Sequence, residues 1–149
     1  MIAFLPIKPS YAFKILKGSK KFEFRKKRFS KDIKIVIIYA SAPMKKIIGC
    51  FKIEKIYKEN PYIIWEKCKT SAGIQKKIFL DYFKNNDNAI AIEIADIFKF
   101  RKSINPKEIW LNFKIPQSFK YMEYNEFKYL INYEPSLRDW VKIYDYSFF

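Results

Sequence analysis

Residues 18–25 combine residue types that can do chemistry at close spacing. They read Gly-Ser-Lys-Lys-Phe-Glu-Phe-Arg, so Lys20, Glu23 and Arg25 supply two cations and one carboxylate. The cations can hold a phosphate or a carbonyl oxygen, while the carboxylate can orient the guanidinium, accept a base amino group or activate water. These residue types could form a ligand-binding cluster, with Lys20 and Glu23 as the catalytic residues if the protein is an enzyme.

The same spacing also has a purely structural interpretation. In a strand over residues 21–25, Glu23 and Arg25 lie on one face and Phe22 and Phe24 on the other. Glu23 and Arg25 could then form a surface ion pair worth under about 1 kcal/mol, with both rings in the core. The spacing alone favours this structural interpretation, and the hypothesis of a functional cluster depends on the motif resemblance given below.

Positive charge is concentrated in the first part of the chain. The net charge is +15, and residues 1–58 hold 16 Lys and Arg against 3 Asp and Glu, whereas the remainder holds 14 against 12. Such an imbalance predicts one basic face, the electrostatic footprint of a protein that contacts a polyanion. The competing interpretation is compositional, because Lys is abundant and only four cations are Arg.

The densest basic run is Arg25-Lys26-Lys27-Arg28, which directly continues the cluster. Cations interleaved with aromatic rings suit single-stranded RNA, whose bases stack while its backbone is neutralised. We expect Phe29 and Tyr39 to be the rings available for stacking.

Several classes of chemistry are excluded or disfavoured by residue usage. The chain has no His, which removes imidazole bases, Ser-His and Cys-His pairs and most zinc sites. Cys50 and Cys68 lack metal-ligand spacing and are expected to be free buried thiols. We predict no metal, no cofactor and no membrane partner, and in the absence of a signal-peptide pattern we expect a cytoplasmic protein.

Hydrophobic periodicity predicts a mixed α+β chain without a βαβ repeat. Strands are expected over 3–7, 21–25, 33–39, 46–57 and 89–100, with Gly49 at a possible bulge, and an extended segment over 116–122. Helices are expected over 9–18, 60–73, 75–83 and near 124–132, with a turn or short helix at 106–110. We predict one barrel-like domain over residues 1–122, and an aromatic extension over 123–149 packed on that domain.

The ordered segments resemble the ASCH domain family of the PUA-like superfamily. The pattern Gly18-x-Lys20-x-x-Glu23-x-Arg25 is similar to the family signature, and further segments look alike in order. These are Ile7-Lys8-Pro9-Ser10-Tyr11, Tyr39-Ala40-Ser41-Ala42-Pro43, Trp65-Glu66-Lys67, Phe79-x-x-Tyr82-Phe83, Ala89-Ile90-Ala91-Ile92 and Pro116-Gln117-Ser118-Phe119. The resemblance covers about residues 2–122 and implies a PUA-like mixed β-barrel with short helices at its ends.

The resemblance implies binding of RNA or of a modified nucleoside, with Tyr39, Ser41, Gln117 and Ser118 around the barrel mouth. Some ASCH proteins are amidohydrolases that remove acyl groups from N4-acylated cytidine, and one has been reported as a ribonuclease. The catalytic lysine of the amidohydrolases falls on Lys20. Their threonine nucleophile is replaced here by Glu23, which can act as a general base but is not an acyl-accepting hydroxyl.

Three functional hypotheses therefore stand. The first is an RNA- or nucleoside-binding domain that uses Lys20, Glu23, Arg25 and the adjacent cations. The second is a metal-independent hydrolase, of the acylcytidine or ribonuclease kind. The third is a regulatory accessory protein that binds a partner through residues 123–149.

Overall fold

The helices and strands of the computed structural model, which describes residues 1–148, follow the sequence pattern closely. The strands are β1 (Ile2–Ile7), β2 (Phe22–Arg25), β3 (Ile35–Ala40), β4 (Lys46–Glu59), β5 (Ala89–Ile104) and β6 (Lys120–Met122). The helices are α1 (Pro9–Lys17), α2 (Pro61–Cys68), α3 (Lys76–Tyr82), α4 (Pro106–Ile109), α5 (Tyr124–Tyr133) and α6 (Ser136–Asp145), with single 3-10 turns after α2 and α6. Phe149, the end of the predicted extension, lies outside the described residues.

Local sequence signals explain where the first helices begin and end. Gly18 ends α1 in the left-handed conformation, with φ of 85°. Asn60 caps α2 by accepting a hydrogen bond from the backbone N–H of Tyr62, and Pro61 occupies the first helical position. These signals set the end of α1 and the start of α2.

All six strands form one sheet in the order β2-β5-β4-β3-β1-β6. Only β1 and β3 pair in parallel, and the remaining ladders are antiparallel. The predicted α+β class is therefore confirmed, and the ladders of β4 with β3 and with β5 both shift register between Ile47 and Gly49, in agreement with the expected bulge. Within residues 1–148, no ladder joins β2 to β6, so the sheet is open and closure into a barrel remains a prediction.

Apolar side chains cover both faces of the sheet. One face packs under α1 around Ala12 and Ile15. The other face receives α5 and α6, which contribute Phe127, Leu130, Leu137 and Val141 to a common core with β1, β3 and β4. A third cluster fills the space between β2 and β5 on one side and α2 and α3 on the other.

The helix α6 was not expected from the sequence. Its Trp140 and Tyr144 both donate hydrogen bonds to the carboxylate of Asp96 on β5, which ties the helix to the sheet. Both cysteines, Cys50 and Cys68, are buried free thiols as predicted. No helix among residues 1–148 has the length and apolar character needed to cross a membrane.

Candidate functional site

Lys20, Glu23 and Arg25 meet at a cavity of about 190 Å³. The strand β2 contributes Glu23, Phe24 and Arg25, Lys20 lies two residues before that strand, and α1 contributes Tyr11. The turn after β3 adds Ser41, and the segment around α3 adds Ile74, Ile78 and Tyr82. Three other pieces of chain therefore converge on the three residues of the motif.

Lys20 is almost fully buried, with 2% of its surface exposed. Its ammonium donates to the backbone oxygen of Ala72 at 2.6 Å and lies 5.0 and 4.7 Å from the ring centroids of Tyr11 and Phe24. Burial lowers the pKa of this amine to about 8, and the nearby Glu23 carboxylate opposes that shift. A lysine with this pKa can donate a proton near neutral pH.

Glu23 is 5% exposed, so its contact with Arg25 is not the surface ion pair that the spacing also allowed. The Arg25 Nη1 to Glu23 Oε2 distance is 3.5 Å. Burial raises the pKa of Glu23, while Lys20 and Arg25 act in the opposite direction. Lys20 and Glu23 both line the cavity but form no ion pair within 4.0 Å in the described chain.

Arg25 holds the two edges of the sheet together. Its Nη2 donates to the backbone oxygen of Ser118, just before β6, at 2.8 Å, and its Nη1 donates to that of Pro6 in β1 at 3.2 Å. Arg25 therefore has a structural role, because its terminal nitrogens serve backbone carbonyls, and its expected role as a phosphate ligand stays a prediction. Arg25 still supplies positive charge beside Glu23.

The other predicted contact residues separate into two groups. Ser41 lines the cavity, where its hydroxyl donates to the backbone oxygen of Ile7 at 3.3 Å. Ser118 reaches the site through Arg25, whereas Gln117 is exposed and does not line the cavity. The segment that the resemblance placed near the site therefore contributes backbone more than side chains.

The two rings expected to stack on bases are buried in the core. Tyr39 is 1% exposed and packs against Phe4 and Phe113, while Phe29 packs against Phe119 with ring centroids 4.9 Å apart. Neither ring is available to a base, which corrects the expectation from the sequence. Tyr39 lies on β3, whose six residues are all buried, so its ring belongs to the core.

Residues 26–31, here called the basic loop, are anchored at one end. The hydroxyl of Tyr121 on β6 accepts a hydrogen bond from the Ser30 N–H at 2.8 Å. Lys26, Lys27 and Arg28 are exposed, and the Lys26 ammonium lies 4.7 Å from the centroid of the Tyr82 ring. Exposed cations therefore begin at the rim of the cavity.

The sequence did not indicate Tyr11, Ile78 or Tyr82 as site residues. On α3, Phe79 and Phe83 are buried, whereas Ile78 and Tyr82 are 46% and 40% exposed and face the cavity. Phe79 with Phe83 and Ile78 with Tyr82 form two adjacent apolar i, i+4 stripes on α3. One stripe is enough to face the core, so the second stripe was the available signal for the site. Among residues 1–148, no group of three Cys, Asp or Glu side chains is placed to hold a metal ion.

The chain belongs to the family described as Domain of unknown function (DUF365), whose model matches residues 2–123. The ASCH domain-containing ribonuclease of Zymomonas mobilis subsp. mobilis is 28% identical over 137 residues, covering 87% of this chain and 90% of that protein. The crystal structure of ASCH from Zymomonas mobilis matches 88% of this chain and 94% of that chain with a TM-score of 0.82 and 28% identity. The resemblance to ASCH domains is therefore confirmed.

A more distant structure shares the fold alone. The N-terminal domain of McrB from Staphylothermus marinus has a TM-score of 0.59 at 13% identity, covering 88% of this chain and 93% of that chain. The structures from Zymomonas mobilis and Staphylothermus marinus therefore both share the fold of this chain over most of its length.

Proposed function

We propose that the protein binds single-stranded RNA, with one unstacked base in the Lys20–Glu23 cavity and the adjoining backbone on the basic loop. The observation that carries the proposal is the contact between Lys26 and Tyr82, because it joins the cavity to the exposed cations without a break. Aromatic rings beside a row of cations are the usual means of holding a single strand.

The cavity offers suitable chemistry for a base or a nucleoside. Tyr11 and Tyr82 present ring surface, the Glu23 carboxylate accepts hydrogen bonds from an amino group, and the Lys20 ammonium donates to a carbonyl oxygen. A volume of about 190 Å³ is below the roughly 300–1,000 Å³ of pockets for drug-sized ligands, so it suits one base rather than a longer segment. A modified nucleoside would use the same groups.

The relative from Zymomonas mobilis supports an RNA ligand, since its name describes a ribonuclease and the match spans most of both chains. RNA is therefore the first ligand to test.

The test is fluorescence anisotropy with a labelled oligoribonucleotide of about 12 nucleotides, titrated at several salt concentrations. Replacing Lys26, Lys27 and Arg28 with Ala should weaken binding to every sequence and reduce the salt slope by about 0.7 for each lost phosphate contact. Glu23→Gln should weaken binding while leaving the salt slope unchanged. Absence of binding by the unaltered protein would refute the proposal.

A second candidate is metal-independent cleavage of RNA, favoured by the paired titratable groups in the cavity. In this reaction Glu23 takes the proton of a 2′-hydroxyl, and the 2′-oxygen bonds to the adjacent phosphorus. The bond from phosphorus to the 5′-oxygen breaks, and Lys20 gives that leaving oxygen its proton. The products are a cyclic phosphate and a 5′-hydroxyl, and the lowered pKa of Lys20 suits a general acid.

A further inference from the structure

A second concavity, here called the basic groove, is lined by Arg28 of the basic loop, whose Lys26 contacts Tyr82 of the cavity. The groove has a volume of about 510 Å³ and is lined by four cations, Arg28, Lys34, Lys52 and Lys55. Arg28 lies two residues after Lys26, so their Cα atoms are at most about 7 Å apart. One short stretch of backbone therefore contributes to the rim of the cavity and to the wall of the groove.

The charge of the groove is open to an external anion. Asp32 and Glu54 also line it, which leaves four cations against two carboxylates. None of these six groups takes part in an ion pair within 4.0 Å among residues 1–148. The excess positive charge is not neutralised by the protein itself.

The positions of the groove cations are fixed by the sheet. The N–H of Lys34 donates to the backbone oxygen of Met1 at 3.1 Å, and its own oxygen accepts from the N–H of Ile53 at 2.8 Å. The Lys52 ammonium donates to the backbone oxygen of Ile53 at 2.6 Å. Lys52 lies on β4 and Lys34 directly precedes β3, and cations with a fixed backbone lose less conformational freedom when an anion binds.

An aromatic ring also lines the groove. Tyr144 of α6 is half-buried, and the Lys52 ammonium lies 5.7 Å from its ring centroid. The Tyr144 hydroxyl donates to Asp96, which fixes the ring in place. Cations together with a fixed ring form the same combination that holds single strands elsewhere.

We infer that the basic groove holds the phosphodiester backbone of the RNA strand whose base occupies the cavity. Lys34, Lys52 and Lys55 contact phosphates, and Tyr144 supplies a surface for a further base. The basic loop is then the bridge between two binding areas rather than the whole binding surface. This inference rests on the proposed function, since it extends the same strand beyond the cavity.

The experiment compares the affinity of two probes, a labelled dinucleotide and an oligoribonucleotide of about 12 nucleotides. The groove variant replaces Lys34, Lys52 and Lys55 with Gln. A matched control makes the same change at the exposed Lys102, Lys107 and Lys114, which line neither the cavity nor the groove. Thermal unfolding of both variants checks that the fold is kept. A second groove variant, Lys34→Gln with Lys55→Gln, retains Lys52 in case its loss disturbs α6.

The groove variant should bind the longer probe more weakly, with a salt slope reduced by about 2, which is three contacts at about 0.7 each. Its affinity for the dinucleotide should equal that of the control. Equal affinity of groove and control variants for the longer probe overturns the inference while leaving the proposed function standing. Binding of neither probe by the unaltered protein refutes the proposed function instead. Poly-glutamate serves as a third probe. If the groove variant loses binding to poly-glutamate but keeps the RNA affinity of the control, the groove is a protein-docking surface and the inference is overturned.

Discussion

Gly73 and Lys20 are packed so closely that a side chain at residue 73 has no room. A Cβ atom there would lie 2.5 Å from Cγ of Lys20, and the backbone of Gly73 has φ of +65°. The preceding carbonyl, that of Ala72, accepts the hydrogen bond of the Lys20 ammonium. The segment before α3 therefore positions the motif lysine through both its shape and its backbone oxygen.

Replacement of Gly73 by Ala should destabilise the protein and disturb the site. The positive φ costs an L-residue about 1–2 kcal/mol, and the new Cβ must also displace the stem of Lys20. Gly18→Ala is the matched control, because φ there is +85° but no atom lies within 4 Å of the added Cβ. Urea unfolding should show a loss of stability in both variants, and RNA affinity should fall only in Gly73→Ala. Equal affinities in the two variants would contradict the role given to Lys20.

Titration of Lys20 should move stability and binding in opposite directions. Burial lowers its folded pKa to about 8, against an ordinary value of 10.5. Between these values the unfolded chain retains a proton that the folded chain has released. The free energy of unfolding therefore increases as the pH rises. Over the same range the cavity loses its ammonium, and affinity for RNA should fall by up to about tenfold per pH unit above 8.

The measurement is the difference between the unaltered protein and Lys20→Met, from about pH 7 to about pH 10. Taking the difference removes the contribution of tyrosines that titrate near the upper end. The stability difference should shift in favour of the unaltered protein as pH rises, while its advantage in RNA affinity should shrink. A difference that is flat with pH would show that Lys20 keeps an ordinary pKa.

Removal of the Arg25 guanidinium should cost more than removal of a surface ion pair. Arg25→Ala deletes the hydrogen bonds to Ser118 and Pro6 and leaves Glu23 buried without its partner. We expect a loss of about 2–4 kcal/mol in urea unfolding. The double variant with Glu23→Gln should recover part of this loss, because a neutral amide is less costly to bury than a lone carboxylate. A loss below about 0.5 kcal/mol would return the pair to the class of surface contacts.

The fold was largely predictable because its signals are local. Gly18, Asn60 and Pro61 mark helix ends through backbone conformation and capping, and these effects act within a few residues. The helix α6 was missed although its apolar positions recur helically. It follows α5 after a short connection that contains Pro135, in the segment predicted only as an aromatic extension with one helix.

The site was predictable only where its residues are close in sequence. Lys20, Glu23 and Arg25 fall within six residues, so their types and spacing pointed to one another. The carbonyl of Ala72 and the ring of Tyr82 reach the cavity through long-range packing, which single-chain periodicity does not contain. Burial of Glu23 also depends on that packing, and for this reason spacing could not decide between a surface pair and a buried cluster.

Any RNA cleavage by this protein should depend on Glu23 and Lys20 and should continue in the presence of EDTA. Glu23→Gln removes the proton acceptor and should lower the rate by about 10²–10⁴-fold, the usual contribution of a general base. Lys20→Met should reduce the rate as well, through loss of the proton donor. The assay follows a labelled oligoribonucleotide on denaturing gels, with cyclic phosphate ends identified by mass spectrometry. Cleavage of RNA that survives in both Lys20→Met and Glu23→Gln would place the chemistry outside this cavity.

N4-acetylcytidine should not be hydrolysed under the same conditions. Glu23 stands where the amidohydrolases of the ASCH family have their threonine, so water would have to do in one step what an acyl-enzyme divides into two. Ser41 brings a hydroxyl to the cavity, but that hydroxyl donates to the carbonyl of Ile7 rather than to a base. Turnover of acetylcytidine that is lost in Ser41→Ala would therefore contradict this assignment and make Ser41 the nucleophile.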